Sequence, residues 1–286
     1  MAWVTTDDPQ EFLDRAGDFL RARTASNSVP LSVAARLAAR QRRPAAGAEA
    51  PLFGSWQPSG TAVAGTFIHT PPFPLHLSAP PQRALAPLAQ LLARLERRPA
   101  GIDAGGELAA AFAAAWTACC PCEAVPALHS RLYRLATLRG PQPAPAGRAA
   151  VASAGDRELL VDWLTEFGRE VGTWDAGSTP QIDDRLAAGV YTLWRDAAGE
   201  PVAVAGVSGA VDAVRRIGPV YTRPDRRGEG FGGAVTAARC RRALDEGVRE
   251  IVLYADVGNP VSNRLYRRLG FEPVEERRAL RFEYRG

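Results

Sequence analysis

The chain has 286 residues, 46% of them hydrophobic, which is enough for two domains of ordinary size, and no apolar run approaches the roughly 18 residues a membrane span needs. All 35 basic residues are arginine, and against 31 acidic residues they leave a net charge of +4, with no interleaving of aromatic and basic residues to point to nucleic acid. The N-terminal Met-Ala-Trp-Val-Thr-Thr-Asp-Asp has neither the basic region nor the apolar core of a signal peptide, so a cytoplasmic protein with no membrane or nucleic-acid partner is expected.

In chain order, Pro9 to Arg23 predicts an amphipathic helix carrying Phe12, Leu13, Phe19 and Leu20, and Ser28 to Arg40 a second with Leu31 and Leu37. Gln41 to Ala50 reads as a loop. Leu52 to Gln57 and Ala62 to His69 alternate like strands of a meander around the turn Pro58-Ser59-Gly60, and Pro74 to Ser78 is a third short strand. A leucine-rich helix over Ala84 to Leu95, a short strand near Ile102, a helix over Glu107 to Trp116 and a strand over Leu128 to Leu135 complete the first half. Cys119, Cys120 and Cys122 cluster as Cys-Cys-Pro-Cys, but no second pair stands at zinc-ligand spacing, so no metal site is expected.

Pro141, Pro143 and Pro145 make Arg139 to Gly147 a stiff extended linker, dividing the chain into expected domains at 1–140 and 147–286. Beyond it the same order recurs. A strand over Ala149 to Ala152 precedes a helix over Asp156 to Val171 with Leu159, Leu160, Trp163 and Phe167 on its apolar side. A second helix over Thr179 to Ala188 is capped by Thr179 or Ser178. Strands over Val190 to Arg195, Pro201 to Ser208 and Ala213 to Tyr221 follow. The repetition implies two copies of one α/β fold.

The second copy then reaches Arg226-Arg227-Gly228-Glu229-Gly230-Phe231-Gly232-Gly233, where strand-like sequence gives way to helix-like sequence. A helix that starts among glycines exposes unpaired N–H groups that an anion can approach closely, and its dipole adds positive potential. Arg223, Arg226 and Arg227 add full charges suited to phosphate. A nucleotide P-loop is excluded because the chain has no lysine, and a dinucleotide fingerprint lacks its acidic residue at the right distance, Asp245 and Glu246 coming too early. Downstream, Ile251 to Ala255 reads as a strand buried on both faces. After it comes Asn259-Pro260-Val261-Ser262-Asn263-Arg264-Leu265-Tyr266-Arg267-Arg268-Leu269-Gly270-Phe271.

The pattern Arg227-x-x-Gly230-x-Gly232, followed by Asn259, Ser262, Leu265-Tyr266 and Gly270-Phe271, resembles the GNAT superfamily of acyl-CoA-dependent N-acyltransferases. The resemblance implies a mixed central sheet with splayed strands flanked by helices, in tandem, and acetyl-CoA as co-substrate. By position, Val220, Tyr221 and Thr222 would line the pantetheine arm, and Arg227, Gly228, Glu229, Gly230, Phe231, Gly232 and Gly233 would hold the pyrophosphate. Asn259 and Ser262 would meet the arm from the other side, the Val220 N–H would polarise the thioester carbonyl, and Tyr266 would protonate the departing thiolate. Asn259 also reads as a simple helix cap, and Tyr266 as a core-edge residue. Where some relatives carry a glutamate base, this chain has Arg215-Arg216, which leaves Asp256, Glu166 and Glu170 as substitutes and raises an anionic acceptor. The first copy has Ala79-Pro80-Pro81-Gln82-Arg83 in place of the glycine loop and is expected to bind no cofactor of its own, serving the acceptor cleft or the stability of the pair. The expected activity is acetylation of a primary amine of a small molecule or peptide by a monomer or homodimer; the rival reading is a non-catalytic acyl-CoA-binding or sensor module.

Overall fold

The computed structural model describes residues 2–39, 49–58, 62–172, 182–208 and 214–285. Ten elements follow one another as β1 (Ala2–Thr6), α1 (Pro9–Arg21), α2 (Ser28–Ala39), β2 (Leu52–Gln57), β3 (Thr66–His69), β4 (Leu75–Ser78), α3 (Leu85–Arg94), β5 (Gly101–Gly105), α4 (Gly106–Cys119) and β6 (Cys122–Leu135). Ten more repeat that order of types: β7 (Arg148–Val151), α5 (Arg157–Val171), α6 (Ile182–Ala187), β8 (Thr192–Arg195), β9 (Pro201–Val207), β10 (Val214–Thr222), α7 (Phe231–Asp245), β11 (Glu250–Asp256), α8 (Pro260–Arg268) and β12 (Phe271–Tyr284). The fold is mixed α/β, as the sequence implies. The expected helix start and caps at Ser178 and Thr179, and Ser59-Gly60 of the first turn, lie outside the described residues.

One compact unit holds residues 1–132 with 256–258 and 274–286, and the other holds 133–255 with 259–273. In the first, β1, β2, β3 and β4 pair antiparallel in turn, β4 pairs parallel with β5, and β5 pairs antiparallel with residues 277–281 of β12. The final strand thus adds to the sheet of the unit where the chain began. Its core gathers Trp3, Trp56, Phe67, Phe112, Trp116 and Phe282. Two elements go beyond the sequence reading. β1 has only Trp3 as an apolar anchor, and that indole donates to the Ala84 carbonyl at 2.8 Å. β12 carries so many charges that alternation is hidden, because one of its inward residues is Arg277.

In the second unit β7, β8, β9 and β10 pair antiparallel in turn, and β10 pairs parallel with β11. Both faces of this sheet are covered. Ile217, with Ala237 and Cys240 of α7, lies in one apolar cluster, while Tyr191, Leu193, Val204 and Tyr221 pack with Leu160 and Trp163 of α5 in another. No helix among the described residues is long and apolar enough to cross a membrane.

Candidate active site

The site is built where β10 and β11 part. Their parallel pairing runs from Val214 opposite Glu250 to Ile217 opposite Leu253 and goes no further, although both strands continue. Against β9, the register of β10 slips between Ile217 and Val220, a bulge of one extra residue at Gly218-Pro219. Val220, Tyr221 and Thr222 therefore border the gap with their backbone. The Tyr221 side chain turns away from it, donating its hydroxyl to Glu166 of α5 and packing 5.7 Å from the Trp163 ring. Burial first, and then that carboxylate, push the phenol well above its usual range.

From the end of β10 a 3-10 turn over Pro224–Arg226 leads to the glycine loop, and α7 starts at Phe231. Gly228 and Gly230 hold φ of 86° and 87°, the left-handed region that glycine adopts at little cost. The first backbone bond of α7 runs from the Ala234 N–H to the Gly230 carbonyl. Among the described residues, none of the amides from Gly228 to Gly233 donates to a protein acceptor. Six successive free N–H groups at the positive end of a 15-residue helix form an anion cradle. Gly232 and Gly233 keep it narrow in a different way: a Cβ there would lie 3.0 Å from Thr222 Oγ1 and 2.9 Å from Leu265 Cδ1 respectively.

The loop arginines are held in ion pairs, which the sequence reading did not include. Arg223 pairs with Asp225 at 2.8 Å, Arg226 with Asp196 at 2.8 Å and Glu229 at 2.9 Å, and Arg227 with Glu170 at 2.6 Å. Arg227 also donates to the Thr222 carbonyl at 3.0 Å and lies over the Tyr221 ring, and Arg226 lies over Phe231. Their charges are matched by carboxylates, and these pairs brace the loop. Glu229 belongs to that bracing through its side chain.

On the far side of the gap, Asn259 caps α8, its Oδ1 accepting from the Ser262 N–H at 3.1 Å, and Pro260 occupies the first helical position. The cap reading of Asn259 therefore holds for its oxygen. Asn263, which the sequence reading left without a role, is buried, donates from Nδ2 to the Asn259 carbonyl at 2.6 Å and accepts at Oδ1 from the Tyr133 hydroxyl at 2.6 Å. Tyr133 is 130 positions away, and nothing local announces it. Tyr266 is 8% exposed, its ring 6.4 Å from that of Tyr133 and 6.0 Å from Phe271. Burial, with the nearby Cys240 adding, pushes its phenol up to about 12. Gly270 of the Gly-Phe pair has φ of 94° and lies where any Cβ would strike the Thr137 carbonyl, so its place in the motif is steric.

Of the substitute bases, Glu166 accepts from Tyr221, Glu170 is held by Arg227, and Asp256 accepts from the Gly258 N–H at 2.8 Å. Cys119, Cys120 and Cys122 are free thiols, and burial raises the last two above their usual range. Among the described residues no three His, Cys, Asp or Glu gather as a metal group.

The first unit shows the same junction closed. There β4 and β5 pair at Leu75 with Ile102 and His76 with Asp103, and Arg277 Nη2 then donates to the carbonyls of Leu77 at 3.3 Å and Asp103 at 3.0 Å. An arginine side chain bridges the two strands where they part, and the turn before α3 begins at Pro81 with no side-chain cap.

The sequence model described as the acetyltransferase (GNAT) family matches residues 157–271. A mycothiol acetyltransferase of Saccharomonospora viridis is 39% identical over 64 residues, 21% of this chain and 21% of that one. The chain matches only 18–34% of the length of the mycothiol acetyltransferases it resembles. An L-methionine sulfoximine/L-methionine sulfone acetyltransferase of Pseudomonas aeruginosa is 37% identical over 143 residues, 43% of this chain and 80% of that one. In fold alone, a solved tandem GNAT protein from the clavulanic acid biosynthesis pathway aligns over 98% of this chain and 97% of its own with a TM-score of 0.56 at 16% identity. The matched segment contains the bulged strand, the amide cradle and the capped α8, and one relative is matched over 80% of its length, so the chain belongs to the acetyltransferase (GNAT) family.

Proposed function

We propose that the second unit transfers the acetyl group of acetyl-CoA to a primary amine of a small molecule or peptide by direct attack. The observation that carries this reading is the run of six unpaired amides from Gly228 to Gly233 beside two parallel strands that part. Pyrophosphate oxygens accept from those amides, and the pantetheine arm, itself an amide chain, runs along Val220, Tyr221 and Thr222 as a missing strand would. Asn259, through its amide NH2, and Ser262 meet the arm from α8. The Val220 N–H polarises the thioester carbonyl, because Pro219 has no N–H to offer. The residues 1–140 and 147–286 are two copies of one fold, of which the second alone binds acyl-CoA, in a monomer or homodimer.

The neutral amine nitrogen attacks the carbonyl carbon, the C–S bond breaks with its electron pair on sulfur, and Tyr266 gives that sulfur its proton. The amine's surplus proton passes to water. A phenol pushed up to about 12 stays protonated throughout the physiological range, so the donor form is always present. The rest of the acceleration is positioning. The named substrates of the P. aeruginosa relative are amino-acid derivatives, which supports a small amine as acceptor.

Tyr266→Phe is expected to lower kcat by about 100- to 1,000-fold, the share of a general acid, while the acetyl-CoA dissociation constant stays within about 2-fold. Because the buried phenol loses its proton only near pH 12, it contributes no fall in kcat below about pH 10. An unchanged kcat in the variant would remove Tyr266 from the chemistry. Tight acetyl-CoA binding without CoA release for any amine would make the protein an acyl-CoA-binding module.

A further inference from the structure

Beneath α5 and α6 the sheet face of the second unit carries a half-buried positive charge with no counter-ion among the described residues. Ile217 packs with Ala237 and Cys240 of α7, so its strand neighbour Arg216 faces the opposite side, toward α6. The electrostatic neighbours agree: Arg216 feels Arg185 of α6, whereas Arg215 is felt by Arg239 of α7. Among the described residues no carboxylate pairs with Arg216, and its Nη1 is buried without a hydrogen-bond partner. Burial lowers its pKa first, Tyr254 opposes that, and Arg185 lowers it further, yet a guanidinium stays charged. On the same face Tyr191 is 1% exposed and its hydroxyl also lacks a partner, while the Arg185 guanidinium lies 5.0 Å from its ring centre. The exposed arginines of the glycine loop are paired with carboxylates, and Arg215, whose Nη1 is also buried without a partner, lies on the α7 side, so among the described residues the guanidinium charge on this face is unmatched and suits an incoming anion.

Resting on the acetyltransferase reading above, we propose that Arg216, supported by Arg185, binds the carboxylate of the acceptor, which is a free amino acid or a close analogue. A guanidinium takes a carboxylate through two parallel N–H···O bonds, which orients the molecule as well as holding it. Val220, assigned to the thioester carbonyl, lies four residues along the strand, at most roughly 13 Å away because the bulge at Gly218-Pro219 shortens the path. The reach of an arginine side chain covers part of that span, so an amine and a carboxylate a few bonds apart fit the remainder.

The test is steady-state CoA release from acetyl-CoA with the proteinogenic amino acids and, in parallel, their carboxamides, in the wild type, Arg216→Met and Arg216→Lys. Expected is a preference for at least one acid over its amide, lost in Arg216→Met through a rise of about 30-fold in acceptor KM, with the acetyl-CoA KM unchanged and partial rescue by lysine. The Tm of Arg216→Met should stay level or rise, since it loses a half-buried charge that no carboxylate among the described residues pairs. Equal kcat/KM for acids and amides, a ratio that Arg216→Met leaves alone, or no turnover of any amino acid by a protein that binds acetyl-CoA would each overturn the carboxylate site. Failure to bind acetyl-CoA would instead overturn the underlying reading.

Discussion

Gly230→Val is expected to weaken acetyl-CoA binding at least about 100-fold, measured by isothermal titration calorimetry, while the far-ultraviolet circular dichroism stays that of the wild type. Gly230 caps α7 at φ 87°, a backbone state a β-branched residue adopts only under strain. The nearest protein atoms to an added Cβ are on Pro145 at 3.9 Å, so the first carbon of the new side chain meets no internal clash. The cost of the substitution falls on the shape of the loop. If the turn relaxes toward negative φ, the amides on either side stop converging, and a valine side chain stands where an anion would sit. Losing two hydrogen bonds to a charged ligand costs about 3–6 kcal/mol, from about 1.5–3 kcal/mol each, which converts to at least about 100-fold. Gly230→Ala should fall between the two. The wild type should bind one acetyl-CoA per chain, because the first unit has Pro80-Pro81 and the Arg277 bridge where the second has amides. Binding by Gly230→Val within about 3-fold of wild type would remove the loop from the pyrophosphate site.

What the sequence disclosed follows the range of each signal. The glycine loop and α8 were legible because their determinants are local: positive φ at Gly228 and Gly230, a cap at Asn259, a proline at the first helical position. The recurring order of α and β elements was legible because periodicity follows which residues are buried and needs no functional site. Pairings across long separations were not. Tyr133 reaches Asn263, and Arg277 reaches Asp103 and His76, across more than a hundred residues. The loop arginines sit between these cases. Their partners Asp225 and Glu229 stand two and three residues away, so internal pairing was readable as charge patterning, but Asp196 and Glu170 come from other elements. Alternation failed on β12 for the same reason, since a buried arginine counts as polar until its partners are known.

Asp103→Ala is expected to destabilise the first unit by about 2–4 kcal/mol in urea unfolding. Arg277 is 4% exposed, and its Nε donates to Asp103 Oδ1 at 2.9 Å while His76 Nδ1 lies 3.4 Å from Oδ2. Removing the carboxylate leaves a buried guanidinium that has lost its 2.9 Å partner, with Glu275 at 3.5 Å. Breaking a fully buried pair from one side costs about 3–5 kcal/mol, and the Asp103 side chain is 33% exposed, so solvent screening lowers the expected figure. The double variant Asp103→Ala, Arg277→Met should recover most of the loss, because no charge is then stranded and the apolar chain refills the site. The pair also sets a pH dependence. Burial raises the Asp103 pKa, but the Arg277 charge and the His76 hydrogen bond outweigh it and hold the carboxyl well below its usual range. A carboxylate depressed in the folded state stabilises it above the unfolded pKa of about 4 and loses that contribution as pH falls below that value. The wild type should therefore lose stability below about pH 4 more steeply than the double variant, and parallel acid profiles would show that the Arg277 bridge is held by packing and its backbone bonds alone.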